Sequence, residues 1–93
     1  MKTLYLRTAR IDFPTWLKKN NRPTKVMVES IRDIGLINPI IVRRKRSGRY
    51  QVVDGILRLK AWKRLGHKRI RCLYYNELEW LQAVIRMNST VHR

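Results

Sequence analysis

Asp54, Gly55 and Arg58 form the most compact set of residues in this 93-residue chain that could hold an anion. They follow the apolar run Tyr50-Gln51-Val52-Val53 and open the stretch Ile56-Leu57-Arg58-Leu59-Lys60-Ala61, so a strand is expected to turn into a helix at Gly55. The first turn of a helix leaves backbone N–H groups unpaired and carries partial positive charge, and an arginine three residues on adds a full one. Asp54 could cap the helix, and Gly55 suits a sharp backbone bend. At about 100° per residue, Leu57, Leu59, Ala61, Trp62 and Leu65 make an apolar arc, and Arg58 falls inside it. A guanidinium there needs an anion, because it cannot lose its proton. Two readings stay open: Arg58 reaches a phosphate held at Gly55, or it pairs internally with Asp54 or Glu29.

Charge decides which anions matter. Twenty-two Lys and Arg against six Asp and Glu give a formal net charge of +16. Twelve of those cations lie between Arg43 and Arg71, where Asp54 is the sole acid. A small domain so charged repels itself, and a polyanionic partner relieves the repulsion. DNA or another nucleic acid is the first candidate, an anionic membrane surface the second, and a merely basic surface the plain alternative. The cations expected at a nucleic acid are Arg43, Arg44, Lys45, Arg46, Arg49, Lys60, Lys63, Arg64, Lys68 and Arg69. Trp16, Trp62 and Trp80 offer rings for stacking on bases, with Trp62 better placed for core packing.

The elements that must position these residues are legible in the pattern. Thr3–Ile11 alternates as a strand, and 12–23 reads as a loop with a short turn at Thr15–Lys18. Lys25–Ile34 reads as a helix capped by Thr24, apolar at Met27, Ile31 and Ile34 and stopped by Gly35. Pro39–Arg44 and Arg49–Val53 are strands joined by the basic turn Lys45-Arg46-Ser47-Gly48. A helix over Gly55–Leu65 ends at Gly66, and a strand follows at Arg69–Tyr74. The last helix starts at Asn76, with an apolar stripe of Leu78, Leu81, Val84 and Ile85 and a frayed end over Met87–Arg93. This is one domain over residues 1–93, of mixed α+β class, with about four strands in a small mixed sheet and three helices. Its apolar runs are too short to span a bilayer, no signal peptide is visible, and the single cysteine, Cys72, suits the cytoplasm as a small buried side chain.

Two blocks of the chain resemble one family. Glu29-Ser30-Ile31-Arg32-Asp33-Ile34-Gly35-Leu36-Ile37-Asn38-Pro39-Ile40-Ile41-Val42-Arg43 is similar to the first signature of the ParB N-terminal domain, and Tyr50 to Ala61 with Leu65-Gly66 to the second. The resemblance implies the ParB/sulfiredoxin-like fold with an anion pocket at the strand–helix junction. It implies phosphate contacts at Gly55 and Arg58, nucleotide-lining positions at Gly35 and Arg43, and a third-motif asparagine at Asn88. It also implies CTP or ATP as ligand, with Mg2+ accompanying the nucleotide. The chain departs from the pattern at Ile56-Leu57, where the family has a Glu-Arg pair, and at Met87 and Val91 around Asn88. Sulfiredoxin shares the fold but needs a cysteine in the second block, where Ile56 and Leu57 stand. Related free-serine kinases use an acid on the first helix, the position of Glu29.

Three functions follow as expectations. The first is DNA binding without sequence specificity through a basic face. The second is a ParB-like nuclease or nucleoside triphosphatase, for which Glu29 and Asp54 are the candidate catalytic acids and no metal site is evident. His67 and His92 add little to that inventory. The third is an interaction or assembly element, with a second copy of the chain as its partner. A fragment and a minimal stand-alone domain from a virus or plasmid are both consistent with this length.

Overall fold

The core forms where three strands and one helix bury their apolar faces together. Ile40 and Val42, Val52, Leu59 and Ala61, and Ile70 and Cys72 are essentially inaccessible, and Ile11 and Ile31 close the edges. Full burial of each large aliphatic side chain contributes about 1.5–3 kcal/mol, so these few residues carry most of the stabilisation of a small domain. The computed structural model describes residues 1–17 and 21–91, with side chains described through Arg86. Among the described residues no helix is long and apolar enough to cross a membrane.

In chain order the elements are β1 (Lys2–Arg7), a 3-10 turn (Thr8–Arg10), β2 (Ile11–Asp12), α1 (Lys25–Ile34), β3 (Ile40–Arg44), β4 (Tyr50–Asp54), α2 (Ile56–Arg64), β5 (Arg69–Tyr75) and α3 (Glu77–Val91). The five strands form one mixed sheet in the order β1-β5-β3-β4-β2. Strand β5 runs antiparallel to β1 and parallel to β3, and β4 runs antiparallel to β3 and parallel to β2. The α+β class and three helices agree with the sequence reading, and the sheet has one strand more. The single strand expected over Thr3–Ile11 is broken by the turn at Thr8–Arg10, where Thr8 is buried and its N–H bonds the Lys68 carbonyl at 2.9 Å. That turn redirects the chain, so that β1 pairs at one edge of the sheet and β2 at the other.

Local signals set the helix boundaries. Thr24 Oγ1 accepts the Met27 N–H at 3.1 Å, and Gly35, at φ 89°, ends α1. Asn76 Oδ1 accepts the Glu79 N–H at 2.8 Å at the start of α3. The Glu79 carboxylate also accepts from the amino terminus, which holds that carboxyl below its ordinary range.

Two expected apolar faces are corrected. Ile34 is 69% exposed, so α1 packs through Met27 and Ile31. On α3, Leu78, Leu81 and Ile85 stay exposed, and Trp80, Ala83 and Val84 are the partly buried apolar residues. The backbone of α3 remains helical through Val91, beyond the point where fraying was expected. Thr15 and Trp16 form the expected turn, closed by Leu17 N–H to the Pro14 carbonyl at 3.2 Å, and Lys18 lies outside the described residues.

Candidate functional site

The junction between β4 and α2 is built around a glycine that could not be another residue. Gly55 has φ 92° and ψ 29°, and a β-carbon on it would lie 2.7 Å from Cγ2 of Ile40. Both facts require Gly, one through backbone sterics and the other through space. No side chain caps α2, so the N–H groups of its first turn face solvent or a ligand. A groove of about 360 Å³ runs past Val53, Asp54, Gly55, Ile56, Leu57, Arg58 and Met27. A second hollow of about 410 Å³ shares Met27 and Arg58 with it and extends along Ser30, Gly35, Leu36, Ile37 and Asn38.

Arg58 bridges the two hollows. Its Nη1 donates to the carbonyl of Asn38 at 3.0 Å and of Pro39 at 3.4 Å, and Nη2 lies 3.6 Å from Asp54 Oδ2. The guanidinium therefore latches the α1–β3 connection to α2 and presents a fixed positive charge to the groove. Of the two internal partners considered, Asp54 is the one it meets. Glu29 instead pairs with Lys25 at 4.0 Å along the surface of α1. Of the two candidate catalytic acids Asp54 lines the groove and Glu29 does not, and among the described residues no three His, Cys, Asp or Glu side chains cluster as a metal site.

Gly35 lines the second hollow with Arg58, whereas Arg43 lines neither the hollow nor the groove. Three residues at roughly 3.3 Å each put it about 10 Å along β3 from Ile40. There it lines a different cleft of about 440 Å³, with Arg44, Lys45, Arg46, Tyr74, Glu77 and Trp80. Asn88 lies on α3, and its side chain is outside the described residues.

The ten cations expected at a nucleic acid divide by their partners. Asp12 takes Lys45 Nζ at 2.9 Å and Arg49 Nη2 at 2.8 Å, and Arg49 also donates to the Ala9 carbonyl at 2.8 Å. These bonds hold the Asp12 carboxyl far below its usual range and push Arg49 up. Lys45 and Arg49 thus fasten the hairpin to β2. Lys60, named among the cations expected at a nucleic acid, is half-buried. It donates to the Asn21 carbonyl and lies 5.6 Å from the centre of the Phe13 ring, so it ties down the loop before α1. Lys63 lies over the same ring at 5.5 Å.

Arg44, Arg46, Arg64, Lys68 and Arg69 are exposed. Lys63, Lys68 and Arg69 also line a third hollow of about 410 Å³ with Arg7 and His67, at the opposite end of β5 from the hairpin cleft. Among the rings, Trp16 is 74% exposed, while Trp62 donates to the Arg69 carbonyl at 2.6 Å and stacks on His67 at 3.8 Å. Asp12, Tyr74 and Glu77 were not singled out by spacing. Asp12 could have been, because an isolated acid in so basic a chain must gather cations.

Cys72 is fully buried, and burial pushes its thiol up to about 12. It is a core side chain on β5, away from the Ile56-Leu57 position where sulfiredoxin chemistry needs its cysteine.

Comparison with known proteins places this arrangement. The ParB N-terminal domain family matches residues 18–89. No curated protein matches the chain. Among solved structures it is similar to C-terminally truncated chromosome-partitioning protein ParB from Caulobacter crescentus complexed with CTP-gamma-S, with TM-score 0.69, 23% identity, and 95% of this chain and 53% of that one covered. The same protein complexed to the centromeric parS site gives TM-score 0.65 and 23% identity over 92% of this chain and 48% of that one. Sulfiredoxin from Arabidopsis thaliana gives TM-score 0.66 and 30% identity, covering 89% of this chain and 96% of that one. The chain spans about half the length of the Caulobacter structures, and at that identity they speak for the fold alone. The family match takes in both signature blocks, the Gly55 junction and the basic hairpin, and the chain belongs to the ParB N-terminal domain family, within the ParB/sulfiredoxin-like superfamily.

Proposed function

We propose that this domain binds nucleic acid, DNA foremost, through its basic surface and without reading sequence, in the cytoplasm. One observation carries the reading: Arg43, Arg44, Lys45 and Arg46 converge on a single cleft in a chain of net charge +16. Cations in such a cleft neutralise phosphates and release counterions, which gives affinity without base discrimination. That a ParB relative is complexed to the centromeric parS site supports a nucleic-acid partner for this chain. Titration of duplex DNA across a salt series is the test. A steep fall in affinity with salt, equal for unrelated sequences, is expected, and a flat dependence overturns the reading.

A second reading concerns the groove at Gly55, where the glycine's missing β-carbon and the uncapped first turn of α2 suit a phosphate. A nucleotide such as CTP or ATP would place its phosphates against that turn and Arg58, and Asp54 is the carboxylate available to an accompanying Mg2+. That a ParB relative is complexed with CTP-gamma-S supports a nucleotide as the ligand. The side chains of Ile56 and Leu57 supply neither charge nor hydrogen bonds there, which leaves the backbone of the first turn, Arg58 and Asp54 as the polar groups of the groove. Nucleotide binding lost in Arg58→Ala, with duplex DNA binding retained, is the expected result. Equal weakening of both ligands would assign Arg58 to the fold alone.

A further inference from the structure

The hairpin cleft holds more than cations. Besides Arg43, Arg44, Lys45 and Arg46 it is lined by Tyr74, Trp80 and Glu77. Tyr74 packs edge-on against Tyr50, with ring centres 6.0 Å apart at 81°. Backbone phosphates of a duplex need none of these groups. A carboxylate repels phosphate, so a neutral group is the better neighbour for Glu77. Two aromatic residues and a carboxylate lining one cleft offer a stacking surface and a hydrogen-bond acceptor, which is what an unpaired nucleobase requires. A volume of about 440 Å³ accommodates a base with its sugar. The cations then follow the chain of phosphates out along the hairpin, with Arg44 and Arg46 exposed to take them.

We propose that this cleft is a single-stranded nucleic-acid site, with a base held against Trp80 and Tyr74 and the flanking phosphates on Arg44 and Arg46. The proposal rests on the nucleic-acid reading above and adds a preference to it: strands with unpaired bases bind more tightly than duplex of equal length.

Fluorescence anisotropy with a labelled single-stranded oligonucleotide, the matching duplex and inorganic polyphosphate separates the outcomes, using wild type, Trp80→Leu and Trp80→Phe. Wild type should favour the single strand over the duplex. Trp80→Leu should lose about tenfold in single-strand affinity, as removal of one stacked base does. Duplex and polyphosphate affinities should stay within twofold, and Trp80→Phe should restore most of the loss. Retained duplex and polyphosphate affinity shows that the leucine variant is folded. Single-strand affinity unchanged in Trp80→Leu, or all three ligands weakened alike in both variants, overturns the proposal and leaves the general nucleic-acid reading standing. Failure of wild type to bind either nucleic acid overturns both.

Discussion

Gly55 lies so close over Ile40 that a β-carbon on it would sit 2.7 Å from Cγ2 of Ile40, closer than real side chains approach. The pair welds the start of α2 to the start of β3, the seam along which the groove opens. Gly55→Ala should destabilise the domain by about 2 kcal/mol or more, from the left-handed backbone and the clash together. Ile40→Ala, which removes Cγ2, should cost less in that background than it does alone, since it makes room for the methyl group. Urea denaturation of the two single variants and the double variant measures the coupling.

Arg58 owes its place to two carbonyls. Arg58→Ala leaves Asn38 and Pro39 without their donor and should lower stability by about 1.5–3 kcal/mol, the range for hydrogen bonds to a charged group. Arg58→Lys should restore part of this, because a lysine offers one ammonium where the guanidinium spans two acceptors and Asp54. Denaturant midpoints of the three proteins give the order.

Asp12 couples stability to pH and to nucleic-acid binding. Its carboxyl is held well below its ordinary 3.8 by Arg49 and Lys45. A depressed folded-state value means that the ionised form is the stabilised one. The contribution is fully present above the ordinary value and is lost as pH falls below it toward the folded one. Asp12→Asn should flatten that part of the stability–pH curve. It also frees Lys45 and Arg49, so low-salt affinity for DNA should rise while stability at neutral pH falls.

Cys72 should behave as a core residue. With its thiol pushed up to about 12 by burial, alkylation at pH 8 should be negligible in the folded protein and complete in denaturant. Mass spectrometry after timed iodoacetamide treatment reads both states.

The sequence made some of this legible because the signals are local. Thr24, Gly35, Gly55 and Asn76 each act on their own turn of backbone, and α1, β3, β4 and α2 fall within a residue or so of where the pattern puts them. The Gly55–Arg58 junction was visible for the same reason. What stayed hidden depends on contacts between distant segments. The break of the first strand at Thr8 follows from its bond to Lys68, sixty residues away. The tethering of Lys45 and Arg49 follows from Asp12, and that of Lys60 from Asn21. Arg43 left the nucleotide motif for the hairpin cleft because β3 carries it away from Gly55 and beside Tyr74 and Trp80. Counting cations along the chain cannot separate those that fasten the fold from those that meet a ligand.

The exposed cations make the sharpest claim. The slope of log affinity against log salt concentration, measured for one duplex with wild type, Arg44→Ala, Arg46→Ala and Lys60→Ala, tests it. Each phosphate contact contributes about 0.9 to that slope. The expected result is a steep wild-type slope that falls by about one in Arg44→Ala and in Arg46→Ala, with Lys60→Ala unchanged in slope and less stable. A wild-type slope near zero, or equal reductions in all three variants, would contradict nucleic-acid binding through the hairpin.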